Sequence, residues 1–186
     1  MAGETQPGGR APAPGELALV QAFINSHYDL EFDHGADLLG TPTALARWLR
    51  QYGLLPSGSR PSERDRATMI ALRETLRGMA GRAADVTALN GFATNAPVEL
   101  RFGRSGPSFT LAAGGGIDAA VGLLLGFTAR AMVDGTWRRL KVCPGEDCGW
   151  AFYDHSRNQT GRWCSMAVCG GRAKARSHYR RRRASE

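Results

Sequence analysis

Cys143-Pro-Gly-Glu-Asp-Cys148 and Cys164-Ser-Met-Ala-Val-Cys169 hold all four cysteines of the chain, in the spacing C-x4-C-x15-C-x4-C. Two short pairs separated by about 15 to 20 residues are a zinc signature: each short loop brings two thiolates to one tetrahedral ion, and the insert makes the turn between them. Two disulfides would need an oxidising compartment, to which nothing else in the chain points. Cys143, Cys148, Cys164 and Cys169 are therefore the expected ligands of one structural Zn2+. Four thiolates close the coordination shell, so such an ion holds structure and activates no water. Residues 138–186 are too few to bury a self-sufficient core, and the metal is expected to supply on the order of 10 kcal/mol of folding free energy. Between the pairs, Trp150, Phe152, Tyr153 and Trp163 suit a strand packing a miniature core beside the metal, with base stacking as the other use of these rings.

Charge is segregated in the same way. The 186 residues carry a net charge of +7. Residues 1–136 hold 12 Arg against 13 acidic residues, net −1, whereas residues 137–186 hold 12 Lys and Arg against Glu146, Asp147, Asp154 and Glu186, net +8. A neutral body with a basic appendage attracts polyanions, nucleic acid being the commonest. Ser165 can cap a helix that starts after Cys164. Along that helix Arg172, Arg176, Arg180 and Arg183 fall on one stripe, widened by Lys174, His178, Arg181 and Arg182. An ordinary solvated helix mixes its charges, but here no acid occurs before Glu186. Arg172, Lys174, Arg176, Arg180 and Arg183 are thus the candidate nucleic-acid-binding residues, with DNA the expected partner. A zinc-stabilised adaptor for RNA or an acidic protein is the alternative, because a basic helix offers the same field to any polyanion.

The rest of the chain reads as one neutral body. Composition is 42% hydrophobic and 22% charged, enough for a core, and the longest uncharged apolar run, Ala119 to Phe127, is too short to span a bilayer. Met1 to Gly15 holds four Gly and three Pro, which suggests a disordered tail, and it lacks the apolar segment of a secretory signal, which suggests a cytoplasmic protein. Leu17, Val20, Phe23 and Ile24 recur at helical spacing, and 25–40 reads as a polar connection. Thr41-Pro42 starts a helix with Leu45, Trp48, Leu49 and Tyr52 on its apolar face. Ser62 starts another through Met69, Leu72, Leu76 and Met79, and a further helical stretch lies around Ala83 to Leu89. Val98, Leu100 and Phe102, then Phe109 and Leu111, alternate as in a hairpin buried on one face. Gly114-Gly115-Gly116 is a turn rather than a phosphate cradle, since no Lys-Ser/Thr follows it. Residues 117–134 are apolar on most faces and read as the central buried helix.

No catalytic residue is identifiable. His27, His34, His155 and His178 are scattered, and neither a nucleophile elbow nor a His-Glu-x-x-His pair occurs, so the chain is read as no enzyme. Asn25, Trp48, Arg73 and Asn90 lie on or beside apolar segments and are candidates to line a small-molecule effector pocket. Arg73 and Trp48 suit a packed surface pair equally well.

Several strings carry a resemblance. Cys143-Pro144, Cys148-Gly149-Trp150, Phe152, Asp154, Ser156-Arg157-Asn158, Arg162-Trp163-Cys164-Ser165-Met166 and Cys169-Gly170-x-Arg172-Ala173-Lys174 closely resemble the CGNR zinc finger. Phe23-Ile24-Asn25, Asp37-Leu38-Leu39-x-Thr41-Pro42, Leu45, Trp48-Leu49, Leu72-Arg73 and Leu89-Asn90 are similar to the ABATE domain that precedes this finger in bacterial stress-induced transcription regulators. The resemblance implies a cytoplasmic, zinc-containing transcription regulator that binds DNA. One position departs from it: the signature asparagine is Gly171, which costs roughly 1 kcal/mol in helix propensity and removes a side chain able to hydrogen-bond a ligand. The expected fold is α+β. A tail over 1–15 precedes a mainly helical body with a β-hairpin over 16–136, and a four-cysteine module with a basic C-terminal helix follows over 138–186.

Overall fold

The computed structural model describes residues 6–27, 36–83, 85–104 and 106–183. His34 and much of the 25–40 connection lie outside these. Helix α1 (Leu17–Asn25) comes first. Helix α2 (Pro42–Gln51) opens where its sequence offers a cap: the Thr41 hydroxyl accepts from the Ala44 N–H, and Pro42 is preset for the first turn. Helix α3 (Glu63–Ala80) opens on a capping box in which Ser62 and Asp65 satisfy each other's backbone N–H. Helix α4 (Val86–Ala93) starts later than the Ala83 to Leu89 pattern suggests, because the Asp85 carboxylate accepts from the Ala88 N–H and sets the first turn there.

Strands β1 (Val98–Gly103) and β2 (Gly106–Leu111) form the antiparallel hairpin, with Leu100 opposite Phe109. Helix α5 (Gly116–Val133) is long and apolar enough to cross a membrane by length and composition, yet 61% of it is buried inside the body. It is the core helix, with α1, α3, α4 and the hairpin packed around it. Gly122 makes one of these contacts feasible, since a Cβ there would lie 2.3 Å from the Pro97 carbonyl oxygen where the chain crosses α5 into β1. Phe23, Leu45, Leu49, Leu72, Leu76 and, on α5 itself, Leu124 are fully buried in this core, each contributing about 1.5–3 kcal/mol by leaving water.

The hairpin is less covered than its alternation implies. Val98, Leu100 and Phe102 are 38%, 53% and 81% exposed. The cause is geometric: β2 is the strand seated on α5, with the Phe109 ring against Gly126, and β1 overhangs beyond it as the outer edge.

The C-terminal module begins with a 3-10 turn over Thr136–Arg139, followed by β3 (Leu140–Val142), β4 (Ala151–Tyr153), a π-helical turn over Met166–Gly170 and helix α6 (Gly171–Arg183). Strands β3 and β4 pair antiparallel with Lys141 opposite Phe152. The β4 strand is buried on both faces rather than one. Trp150 and Phe152 pack with the cysteines, while Ala151 and Tyr153 join Leu140 in the core of the body. The module is therefore supported by more than its cysteines: one face of its ribbon completes the body.

The described part of the N-terminal tail, residues 6–15, is likewise ordered against the protein. Pro7–Gly9 makes a 3-10 turn, and Gln6 and Ala13 are buried. Glycine and proline content signals poor intrinsic structure, but it carries no information about side chains that find partners elsewhere in the chain. Met1 to Thr5 lie outside the described residues.

Candidate metal centre and basic helix

Cys143 leaves the end of β3, and its N–H donates to the Trp150 carbonyl at 2.9 Å, which closes the knuckle that carries Cys148. Gly145 is needed inside this turn, because a Cβ there would sit 3.2 Å from both the Cys148 Cβ and the Cys169 Sγ. Cys164 and Cys169 come from the second half. Between them the Ser165 hydroxyl accepts from the Val168 N–H, the cap expected from the sequence, and the tight turn that follows aims Cys169 inward. All four sulfur atoms lie within 4.8 Å of one another, and three of the four cysteines are buried.

This donor set fits a metal. A tetrahedral ion with metal–sulfur bonds of about 2.3 Å needs sulfur atoms roughly 3.8 Å apart, and Cys164 Sγ lies 3.6 Å from both Cys148 Sγ and Cys169 Sγ. Thiols alone are frustrated here. Hydrogen bonds from Cys148 and Cys164 hold the Cys143 thiol far below its usual range, while the same contacts push Cys148 and Cys164 up. A divalent cation would remove the conflict by letting all four ionise.

The centre is braced by residues that sequence reasoning passed over. Asp154 is fully buried. It accepts from Lys141 Nζ at 2.6 Å, from Ser156 Oγ at 2.6 Å and from the Gly161 N–H at 2.7 Å. Burial raises its pKa, but these hydrogen bonds outweigh burial and hold it well below the carboxylate range. From the N-terminus, Arg10 donates to the carbonyls of Cys164 and Trp163 at 2.7 and 3.1 Å and stacks on the Phe152 ring. The Gln6 side-chain oxygen accepts from Trp150 Nε1 at 3.1 Å and from Gln21 Nε2 at 3.0 Å. Asp154 belongs to the string that carries the finger resemblance, so a signal for it existed. Nothing in the sequence marks Gln6, Arg10 or Gln21.

Helix α6 projects from the second cysteine pair. Arg172, Lys174, Arg176, Arg180 and Arg183 are all exposed, and Tyr179, 68% exposed, joins the same stripe. Glu146 of the knuckle loop pairs with Arg176 at 3.0 Å. A shallow cleft of about 490 Å³ is lined by Glu146, Arg176, Tyr179, Arg180 and Arg183. A second cleft of about 310 Å³ runs from Pro7 past Trp150 and Val168 to Arg172 and Arg176. At Gly171, an added Cβ would meet nothing nearer than the Met166 carbonyl oxygen at 3.6 Å. The backbone would therefore accept the asparagine of the finger motif, and its replacement changes surface chemistry rather than fold.

Among the described residues, those suggested for an effector pocket have other engagements. Both polar ends of Asn25 are engaged by the backbone of Ala151. Buried Arg73 donates to both oxygens of Asp37 at 2.7 and 2.8 Å and to Glu74 at 2.8 Å. Trp48 is packed between Phe23 and Tyr52, and Asn90 is exposed on α4. Amphipathic character beside an apolar segment therefore does not by itself mark a pocket wall, since it equally suits side chains such as Asn25 and Arg73 that take internal partners.

Two family models match the chain. One, ABATE, described as "Putative stress-induced transcription regulator", covers residues 17–135. The other, described as "CGNR zinc finger", covers residues 139–182. No curated protein matches it.

Proposed function

For a chain that belongs to the ABATE family and carries a CGNR zinc finger, we propose a DNA-binding regulator whose finger holds one structural zinc. The observation that carries this reading is helix α6. It is anchored by Cys169 in the turn that leads into it, it is free of acidic residues over Gly171–Arg183, and it presents its arginines to solvent. Four thiolates and one Zn2+ sum to −2, which leaves the segment 137–186 at about +6 and still able to neutralise several phosphates. Arg172 and Arg176, next to the anchored end, are the candidates for base edges. Arg180 and Arg183, farther out, are placed for phosphates. Glu146 holds Arg176 in position and confines that part of the surface to groups that satisfy both a cation and an anion, as a base edge does and a phosphate does not.

Selection from random duplexes with the full chain tests this. An enriched site is expected, with Arg172→Ala or Arg176→Ala costing about 1–3 kcal/mol on that site and much less elsewhere. If about five phosphates are neutralised, log K falls with log salt at a slope near −4.5, and Arg180→Ala flattens it by about one unit for every sequence. No enrichment, with equal losses for all three arginines on every duplex, would leave only a generic polyanion binder, such as an adaptor for RNA or an acidic protein.

A further inference from the structure

The outer edge of the hairpin is a self-complementary surface, and we propose that two copies of the chain pair through it, β1 against β1, with Leu100 on the two-fold axis. This inference does not depend on DNA binding. It starts from which backbone groups β1 leaves unused. Pro107 has no N–H to give, and its carbonyl accepts from Arg130 Nη1 at 2.8 Å on the side away from β1. The pair Phe102–Pro107 is therefore a non-hydrogen-bonded pair of the ladder. Alternation along an antiparallel ladder then assigns the bonds to β2 to Glu99 and Arg101, and turns the N–H and C=O of Val98, Leu100 and Phe102 outward. The same three residues carry the exposed apolar side chains of the strand, at 38%, 53% and 81%. An edge with both features is a template for another strand.

The side chains specify which strand and which register. In an antiparallel β1–β1 pair centred on Leu100, Leu100 faces its own copy and Val98 faces Phe102, a β-branched residue beside an aromatic ring. All outward backbone groups of the three residues are satisfied. On the opposite face Glu99 stands across from Arg101 of the second copy, twice by symmetry. These are non-hydrogen-bonded pairs, in which side chains approach most closely. Within one chain Glu99 and Arg101 already lie 2.8 Å apart, so the two-fold axis would join two ion pairs into a ring of four alternating charges. Shifting the register by two residues in either direction places Glu99 against Glu99 or Arg101 against Arg101, which disfavours those alternatives. A continuous four-stranded sheet results, an isologous contact of the kind closed dimers use. The Phe102 and Leu100 side chains that overhang α5 would then be covered by their symmetry mates.

Charge exchange tests the pairing without touching the core. Sedimentation of the full chain across micromolar concentrations should show a reversible dimer. Glu99→Arg alone and Arg101→Glu alone each set two like-charge pairs across the axis, and each should weaken the dimer about tenfold or more. An equimolar mixture of the two variants restores opposite charges at both positions and should recover the wild-type affinity. On the unsubstituted chain, hydrogen exchange of the Val98, Leu100 and Phe102 amides should slow as concentration rises, while the Glu99 and Arg101 amides, already bonded to β2, should not change. A chain that stays monomeric to about 100 μM would overturn the proposal. So would variants that dimerise like the wild type, a mixture no tighter than its components, or exchange at Leu100 that is independent of concentration. None of these outcomes bears on whether α6 binds DNA.

Discussion

Asn25 at the end of α1 engages both outward backbone groups of Ala151 on β4. Its side-chain oxygen accepts from the Ala151 N–H at 2.8 Å, and its amide donates to the Ala151 carbonyl at 2.9 Å. It behaves as a third strand for the finger's two-stranded ribbon, and so ties the finger to the helical body. In Asn25→Ala the carbonyl keeps its bond from Gln21 Nε2, but the buried N–H is orphaned. A loss of about 2 kcal/mol is expected in chemical denaturation of the metal-loaded chain. Unchanged stability would mean that the finger and body are not energetically coupled at this point.

Arg10 holds the N-terminal segment across the second cysteine pair through two charge-assisted hydrogen bonds. Arg10→Ala should cost about 1–2 kcal/mol and increase hydrogen exchange in 163–170 while leaving α3 protected. Arg10→Lys keeps the charge but loses the fork that reaches two carbonyls, so it should recover only part of the loss. Full recovery by lysine would reduce the role of Arg10 to its charge.

Asp154 makes the finger acid-sensitive. Its folded pKa is depressed, so the stability it contributes is complete above the unfolded value of about 3.9 and disappears as pH falls from there toward the folded value. Asp154→Asn should remove this acid dependence. It should also cost about 2 kcal/mol at neutral pH, because partly buried Lys141 loses its counter-ion and keeps only the carbonyls of Gln159 and Gly161. Nuclear magnetic resonance titration of the Asp154 carboxyl and parallel melts at pH 7 and pH 2 would measure both effects. A melting difference identical in wild type and variant would assign the acid sensitivity elsewhere.

Metal removal should be felt beyond the cysteines. A chelator is expected to unfold 138–183, and because Leu140, Ala151 and Tyr153 are shared with the core of the body, α1 should also lose exchange protection. Cys164→Ser should do the same. The sequence alone suggests a body left largely intact. Thermal melts followed by tryptophan fluorescence would distinguish the two, a body transition unmoved by chelation favouring independent modules.

The chain displays its local structure openly. Thr41-Pro42 and Ser62 through Asp65 start helices as their chemistry dictates, α5 is buried as its all-round apolar pattern requires, and the spacing of Cys143, Cys148, Cys164 and Cys169 brings four sulfurs together. Each of these signals is contained within a few turns of chain or in one ligand set, where residue type and interval carry the physics. The apolar alternation of β1 was legible too, but not that its apolar side overhangs α5.

What the sequence by itself determined is therefore the kind and order of the elements, the four cysteines that come together and the basic face of α6, all of which follow from periodicity, spacing, capping and charge. Only the tertiary structure decided that Gln6 and Arg10 clasp the finger, that Asn25 and Arg73 are consumed by internal partners, and that β4 is buried on both faces. The contacts of Gln6 and Arg10 with the finger join residues about 140 or more positions apart, and a hydrogen-bonding side chain carries no mark in the sequence of which distant group will satisfy it.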